Sequence, residues 1–355
     1  MDPLELVNAI KDNNIELANE ILNSEDIEDI INERNNSHKT ALYYAVTNKQ
    51  YDLIEKILNV PTVDPDLGAE DGNPPIIQAW ILDDARSYKM LIDAGADPNN
   101  LLVNYYSVLD EPIPSAVTDN NPNILTYYLE DNPHLVDMNE VLEDDTLLGL
   151  AVKENSSIEI GQILIDYGSD VNAVTEDHLV LLSMVDNIEW AKLLIENGAN
   201  VNYRETAGLT PIDHHIGLSS YELIIYLIEK GADPWMQDDN GDTPIDSHFS
   251  SISLGVLEYI FRNCGIGKQI NFPDNLITYI NENMTFNQYD NILDRIKLCF
   301  YYGITFDYTA FTNVQFRRKS EDLIDSLRFS LVELSRRSMI INKIDTNNIP
   351  SLLLE

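Results

Sequence analysis

Three of the six histidines sit beside carboxylates in two short motifs, Asp213-His214-His215 and Asp246-Ser247-His248. An imidazole next to a carboxylate is the chemistry of a general base, or of a zinc ligand with its orienting partner. The spacing argues against both. Asp213 and Asp246 are 33 residues apart, and so are His215 and His248, so each pair occupies one position of a repeating unit. Helices at equivalent positions stack about 8–10 Å apart, whereas a zinc–nitrogen bond is about 2 Å long. These side chains are therefore expected to hydrogen-bond within a helical stack. Asp238-Asp239-Asn240-Gly241-Asp242 is superficially like a calcium loop, but it lacks the alternating oxygen ligands and the distal Glu that such a loop needs; it reads as a turn. Cys264 and Cys299 form no C-x-x-C motif and follow apolar runs, which fits core thiols in a reducing compartment. The chain has no phosphate-binding, dinucleotide, nucleophile-elbow or zinc-protease signature. The expectation is no catalysis, no cofactor and no metal.

The elements that position these residues come from internal repetition. Leu193-Leu194-Ile195-Glu196-Asn197-Gly198-Ala199-Asn200-Val201-Asn202 has close copies ending at Gly95, Gly168 and Gly231. Gly168, Gly198, Gly231 and Gly265 lie 30, 33 and 34 residues apart. A second signature opens each unit, clearest in Thr210-Pro211-Ile212 and Thr243-Pro244-Ile245 and weaker around Thr40, Pro75 and Thr146. Thr caps a helix while Pro occupies its first turn, where the missing N–H costs nothing. The second helix ends at Gly, which takes the left-handed backbone cheaply. Neither helix buries its apolar face alone, so neighbouring units must stack.

These two signatures resemble those of the ankyrin repeat, G-x-T-P-L-H-x-A and L-L-x-x-G-A-D-V-N. The resemblance implies an all-α ankyrin-repeat solenoid of about eight to nine helix-turn-helix units, with copies starting near residues 4, 38, 72, 109, 144, 176, 208 and 241. Asp213, Asp246 and Gly149 stand where the family carries its histidine, so the inter-helix bonds of that histidine must come from elsewhere. The expected organisation is a degenerate capping repeat at 1–37, repeats at 38–265, a degenerate ninth repeat at 266–310 and a helical cap at 311–355. Leu4–Lys11 and Ile15–Leu22 form the first helix pair, and apolar spacing over 321–340 predicts the capping helix.

The chain of 355 residues carries 22 basic and 60 acidic side chains, a net charge of −38. Such a field repels nucleic acid and anionic lipid. No stretch approaches the 18 apolar residues of a membrane span, and the acidic start Met1-Asp2-Pro3-Leu4-Glu5 is unlike a secretory signal. The expected location is the cytoplasm, of its own cell or of a host. Heavy use of Asn, Ile and Tyr and the degenerate acidic repeats resemble viral, phage or intracellular-bacterial ankyrin proteins, which implies a host protein as partner.

Surface chemistry gives the candidate contact residues. No Lys or Arg occurs between Lys89 and Lys153, and Asp119, Asp131, Glu143 and Asp145 from this stretch are expected to face a basic protein. Seven basic residues fall between Arg317 and Lys343. Trp235 takes the slot that Asn172 and Asn202 hold in their repeats, followed by Met236, and Tyr203 lies one position further on in its own turn. An aromatic side chain on a turn either anchors a partner or packs on the next turn. The expected function is non-catalytic binding of a basic protein through the turns and the concave face that the family presents. The alternative is an acidic decoy that imitates DNA in the basic cleft of a nucleic-acid enzyme. The sequence sets no oligomeric state.

Overall fold

The computed structural model describes residues 2–68, 74–97, 112–131, 137–141, 145–175, 178–218, 221–265, 268–270 and 289–306, together with Ser320 and Asp322. The chain divides into two compact units, Met1–Asp170 and Val171–Glu355. The division falls inside the expected 38–265 repeat span. The cap at 311–355 lies outside the described residues apart from those two positions.

The first unit is a run of helix pairs. The first helices are α1 (Glu5–Lys11), α4 (Ala41–Thr47), α6 (Pro75–Ile81), α8 (Pro112–Thr118) and α10 (Leu147–Lys153). Their partners are α2 (Ile15–Leu22), α5 (Tyr51–Leu58), α7 (Ala85–Asp93), α9 (Pro122–Asp131) and α11 (Ile158–Asp166), and a single turn, α3 (Ile27–Ile30), follows α2. First helices pack on first helices (α1 on α4, α4 on α6, α8 on α10), and second helices do likewise (α2 on α5, α5 on α7, α7 on α9, α9 on α11). Each first helix buries an alanine at the same place in its sequence: Ala9, Ala45, Ala79, Ala116 and Ala151. A methyl at that position lets neighbouring backbones approach closely, and Leu, Ile and Val fill the space between the two layers.

The second unit repeats the scheme with α12 (Leu181–Met184), α14 (Pro211–Leu218) and α16 (Pro244–His248) as first helices. Their partners are α13 (Ile188–Glu196), α15 (Tyr221–Glu229) and α17 (Leu254–Cys264). A further helix, Tyr289–Tyr301, packs on α17. A two-residue parallel ladder pairs β1 (Gln269–Ile270) with β2 (Thr305–Phe306). Buried Arg295 from the Tyr289–Tyr301 helix donates to the Ile252 carbonyl at 2.5 Å.

Capping follows the sequence signatures. The side chains of Thr40, Thr146 and Thr243 accept from backbone N–H groups three residues on, and Thr243 with Asp246 forms a full capping box. Asn14, Asp84, Ser157, Asn187 and Ser253 cap second helices in the same way. Gly198 and Gly231 take φ of 98° and 99°, as a left-handed stop requires. Gly265 does not: it remains right-handed at φ −94°, so the last regular repeat closes differently from the others. Cys299 is buried, with its thiol raised by that burial, whereas Cys264 is half-exposed rather than in the core.

Candidate interaction surface

Among the described residues, four turns between repeats are each held by one asparagine side chain. In the first unit, Asn139 donates to the Gly168 carbonyl at 3.2 Å and accepts from Asp170 N at 2.7 Å. Asn32 does the same with Thr62 and Asp64 (2.7 and 2.9 Å). In the second unit, Asn172 bonds Gly198 O and Asn200 N (3.3 and 2.8 Å), and Asn202 bonds Gly231 O and Asp233 N (2.8 and 2.8 Å). An amide side chain alone offers a donor and an acceptor on one planar group, so one residue satisfies both backbone groups. The recurring D-x-N and N-x-N triplets at 137–139, 170–172 and 200–202 carry this device in the sequence, and the triplet pattern is the signal for it.

The ladder stops at Trp235. Its indole stacks on Phe261 of α17, centroids 6.2 Å apart with an interplanar angle of 21°, and the Lys268 ammonium lies 5.8 Å from the ring. Only 7% of the residue is exposed. Of the two expectations for this aromatic, packing is the one the geometry supplies. A ring covered on these faces lacks the open surface of a partner anchor. Met236 and Tyr203 are half-buried on their turns. The turns are also tied to each other: Arg204 donates to the Gln237 carbonyl (2.6 Å) and pairs with Asp239 (2.9 Å), and Asp239 N donates to Ala207 O (2.9 Å). Asp238 accepts from Asn240 N and Asp242 N at 2.8 and 2.9 Å, the geometry of an Asx turn.

The histidine motifs resolve into local bonds. Asp213 and Asp246 each accept from the backbone N–H and the hydroxyl of the Thr three residues earlier, at 2.7–2.9 Å. His215 Nε2 lies 2.8 Å from the Leu182 carbonyl of α12, and burial holds its imidazole below the ordinary range. His214 Nε2 lies 2.7 Å from Glu205 Oε2. Glu205, whose carboxylate is 1% exposed, also accepts from Val180 N (2.7 Å) and Ser183 Oγ (2.6 Å) on Oε1. Burial pushes the Glu205 carboxyl up, but the bonds from His214, Ser183 and Val180 outweigh it and the net direction is down. The Glu205 bond raises His214 against the effect of its own burial. Burial lowers His248, whose ring faces Gly217, where an added Cβ would lie 3.0 Å from Cε1. Among the described residues no group of three His, Cys, Asp or Glu side chains is placed to hold a metal. Glu205 carries no periodic signal and was invisible to motif reading.

The carboxylates of the charge gap are mostly in use. Asp119 accepts from Trp80 Nε1 at 2.8 Å. Asp131 pairs with Lys89 at 3.6 Å and bonds Tyr127, whose hydroxyl is pushed up to about 12 by burial and then by that bond. Asp145, only 10% exposed, pairs with Lys153 at 3.3 Å. Glu143 lies outside the described residues. The structure thus places three of the four acidic candidates against internal donors.

A family model described as "Ankyrin repeats (3 copies)" matches residues 148–238. This stretch is similar to ankyrin repeats. It holds the Asn172–Asn202 ladder, the Glu205–His214 pair and Trp235 at its carboxyl-terminal edge. Among solved structures, the ankyrin repeat domain of Bcl-3, described as a unique member of the IkappaB protein family, is 19% identical. The match covers 68% of this chain and 92% of that one, with a TM-score of 0.31. No curated protein matches the chain. Ankyrin repeats generally mediate protein–protein interaction and are typically non-enzymatic scaffolds. No helix among the described residues is long and apolar enough to cross a membrane.

Proposed function

We propose that the chain is a non-catalytic module that binds another protein through its repeat turns and the exposed side of its first helices. The observation that carries this reading is the ankyrin match over 148–238. The bonding of the turns supports it. Side-chain amides and the Arg204–Asp239 pair fix their backbone before any partner arrives, which lowers the ordering cost of association. A net charge of −38 steers basic proteins toward the chain over roughly a Debye length, about 8 Å at physiological salt. The outer carboxylates suited to this are the ones that end second helices, Asp93, Glu130 and Asp166 in the first unit and Glu196 and Glu229 in the second. Within each unit, carboxylates on the last turns of successive second helices lie about one helix spacing apart, about 8–10 Å. That row is sparser than the one charge per about 1.7 Å of axis that duplex DNA presents, which favours a protein binder over a DNA imitator. A cytoplasmic location, in its own cell or a host, belongs to the same proposal.

The test is affinity purification of the tagged chain from its native cells, followed by calorimetry with the recovered protein. We expect a stoichiometric protein partner whose affinity falls when Tyr203 and Met236 are replaced by Ser. Recovery of nucleic acid alone, or turnover of a small molecule by the purified chain, would overturn the reading.

A further inference from the structure

The first unit carries cations with carboxylate partners, Lys89 and, on first helix α10, Lys153, and cations with neutral ones. On the second helices, Lys89 pairs with Asp93 and Asp131, while Arg86 covers the Tyr51 ring at 4.2 Å. On and beside the first helices, three lysines have neutral partners only. Lys11 Nζ lies 6.0 Å from the centre of the Tyr44 ring. Lys39 Nζ lies 4.4 Å from the Tyr43 ring and donates to its hydroxyl at 3.2 Å. Lys49 Nζ donates to the Leu82 carbonyl at 3.4 Å. None of the three has a carboxylate within 4 Å among the described residues. Cations with neutral partners also occur on the second helices, Lys56 on Asn19 and Arg86 on Tyr51; what sets Lys11, Lys39 and Lys49 apart is that all three lie on or beside the first helices of a chain with 60 acidic and 22 basic residues.

The three lysines share one surface. Tyr43 and Tyr44 meet edge to face at 5.9 Å, and the Tyr43 hydroxyl donates to Gln78 Oε1 at 2.8 Å. Ile81, one turn after Gln78 on α6, is 48% exposed, and Lys49 reaches the next carbonyl of the same helix. The patch therefore runs from Lys11 across half-buried Tyr44, over buried Tyr43, to Ile81 and Lys49. Of the carboxylates at this edge, Asp83 is occupied by Asn123 N, Asn123 Nδ2 and Ile124 N, and Asp119 by the Trp80 indole. Asp12 is exposed at the end of α1, and Glu5 is half-buried at its start.

We propose that this face receives an acidic segment of a protein partner, with an apolar side chain on Ile81 and Tyr44 and carboxylates at Lys11, Lys39 and Lys49. The inference rests on the protein-binding reading above and fixes the sign of the partner at this face, opposite to the sign that the whole chain attracts. Lys ammoniums carry three donors each. The Tyr43 hydroxyl and the Leu82 carbonyl use one apiece on Lys39 and Lys49, which leaves directed donors for carboxylate oxygens. An exposed apolar residue beside Lys49, with Lys39 and Lys11 at the tyrosines of the neighbouring helix, gives such a segment both its affinity and its register.

A random dodecapeptide library displayed on phage and panned on the full chain tests this. Selected peptides should carry at least two Asp or Glu around a Leu, Ile or Phe. Their dissociation constants, read by fluorescence anisotropy, should rise roughly fivefold or more for Lys11→Gln combined with Lys49→Asn, and again for Ile81→Ser. Asn suits the left-handed backbone of Lys49, φ 52°, so the double variant should melt where the parent does. Basic peptides, acidic peptides that bind the variants unchanged, or no enrichment at all would each overturn the proposal. So would a homodimer in sedimentation that the double variant dissociates, since the face would then belong to a second copy. A basic peptide that displaces the partner recovered from cells removes this inference alone and leaves the binding function standing.

Discussion

Replacing Glu205 by Gln tests how the second unit is held together. The carboxylate is almost fully covered and takes three donors from two elements: Val180 N and Ser183 Oγ on the α12 side, and His214 on α14. A four-residue helix such as α12 cannot hold itself by propagation, so this acceptor secures its start. Removing one member of a buried charge pair typically costs about 3–5 kcal/mol, and the amide of Gln can accept on one atom only. The cost should depend on pH. His214 is raised in the folded chain, so its contribution is complete below the unfolded value of 6.5 and is lost as pH rises through the folded one. Glu205 is lowered, so its contribution is complete above 4.5 and is lost as pH falls through its folded value. The pair therefore contributes most between pH 4.5 and 6.5. His215 and His248, both lowered by burial, disfavour the fold as pH drops, but they are common to parent and variant and cancel in the difference. Urea unfolding of both proteins at pH 5.5 and 8.5 measures it. We expect a difference of about 3–5 kcal/mol at the lower pH and a clearly smaller one at the higher. A difference below about 1 kcal/mol, the value of an ordinary hydrogen bond, or one equal at both pH values, would refute the reasoning.

Trp235→Ala removes a buried ring and its stack on Phe261, and should cost about 3–5 kcal/mol in urea while sparing affinity for a partner; a loss of affinity with unchanged stability would return Trp235 to the surface. Gly208→Ala and Gly241→Ala both place a side chain at positive φ, 79° and 89°, each at about 1–2 kcal/mol. A Cβ on Gly208 would also lie 2.6 Å from Asp239 Oδ1 and 2.8 Å from Asp239 N, whereas Gly241 has open space. The Gly208 variant should therefore melt distinctly lower, and equal melting would mean that the Arg204–Asp239 contact yields at no cost.

The first helix pair was legible almost to the residue: α1 (Glu5–Lys11) and α2 (Ile15–Leu22) stand where apolar spacing put them. The Thr caps and the Gly stops at 198 and 231 were equally readable, because they depend on one residue and its nearest neighbours, whereas Gly265, read as the same stop, is right-handed. The roles of Asp119 and Asp131 were not readable, since a charge count along the chain says nothing about a donor about 40 residues away, and that of Asp145 was not, since the count does not say that Lys153 folds back onto it. Trp235 was ambiguous for the same reason. Its position on a turn is local, but its cover, Phe261, comes from the next repeat. Glu205 is the extreme case. Two of its three partners, Val180 and Ser183, are set by stacking on the preceding repeat, and no spacing rule connects residue 205 to residue 180.

The asparagine ladder bears on how such a chain changes over generations. Each amide addresses only the turn immediately after its own, through atoms that every turn possesses. Loss or duplication of one whole repeat would rejoin an Asn to an equivalent carbonyl and N–H, so the seam would heal without compensating substitutions elsewhere. The join after Asn202 lacks this freedom on its far side. Trp235 addresses Phe261, a particular side chain rather than a shared backbone group. The array can therefore grow or shrink among the asparagine-linked turns upstream of that tryptophan, whereas Trp235 and Phe261 must be kept together.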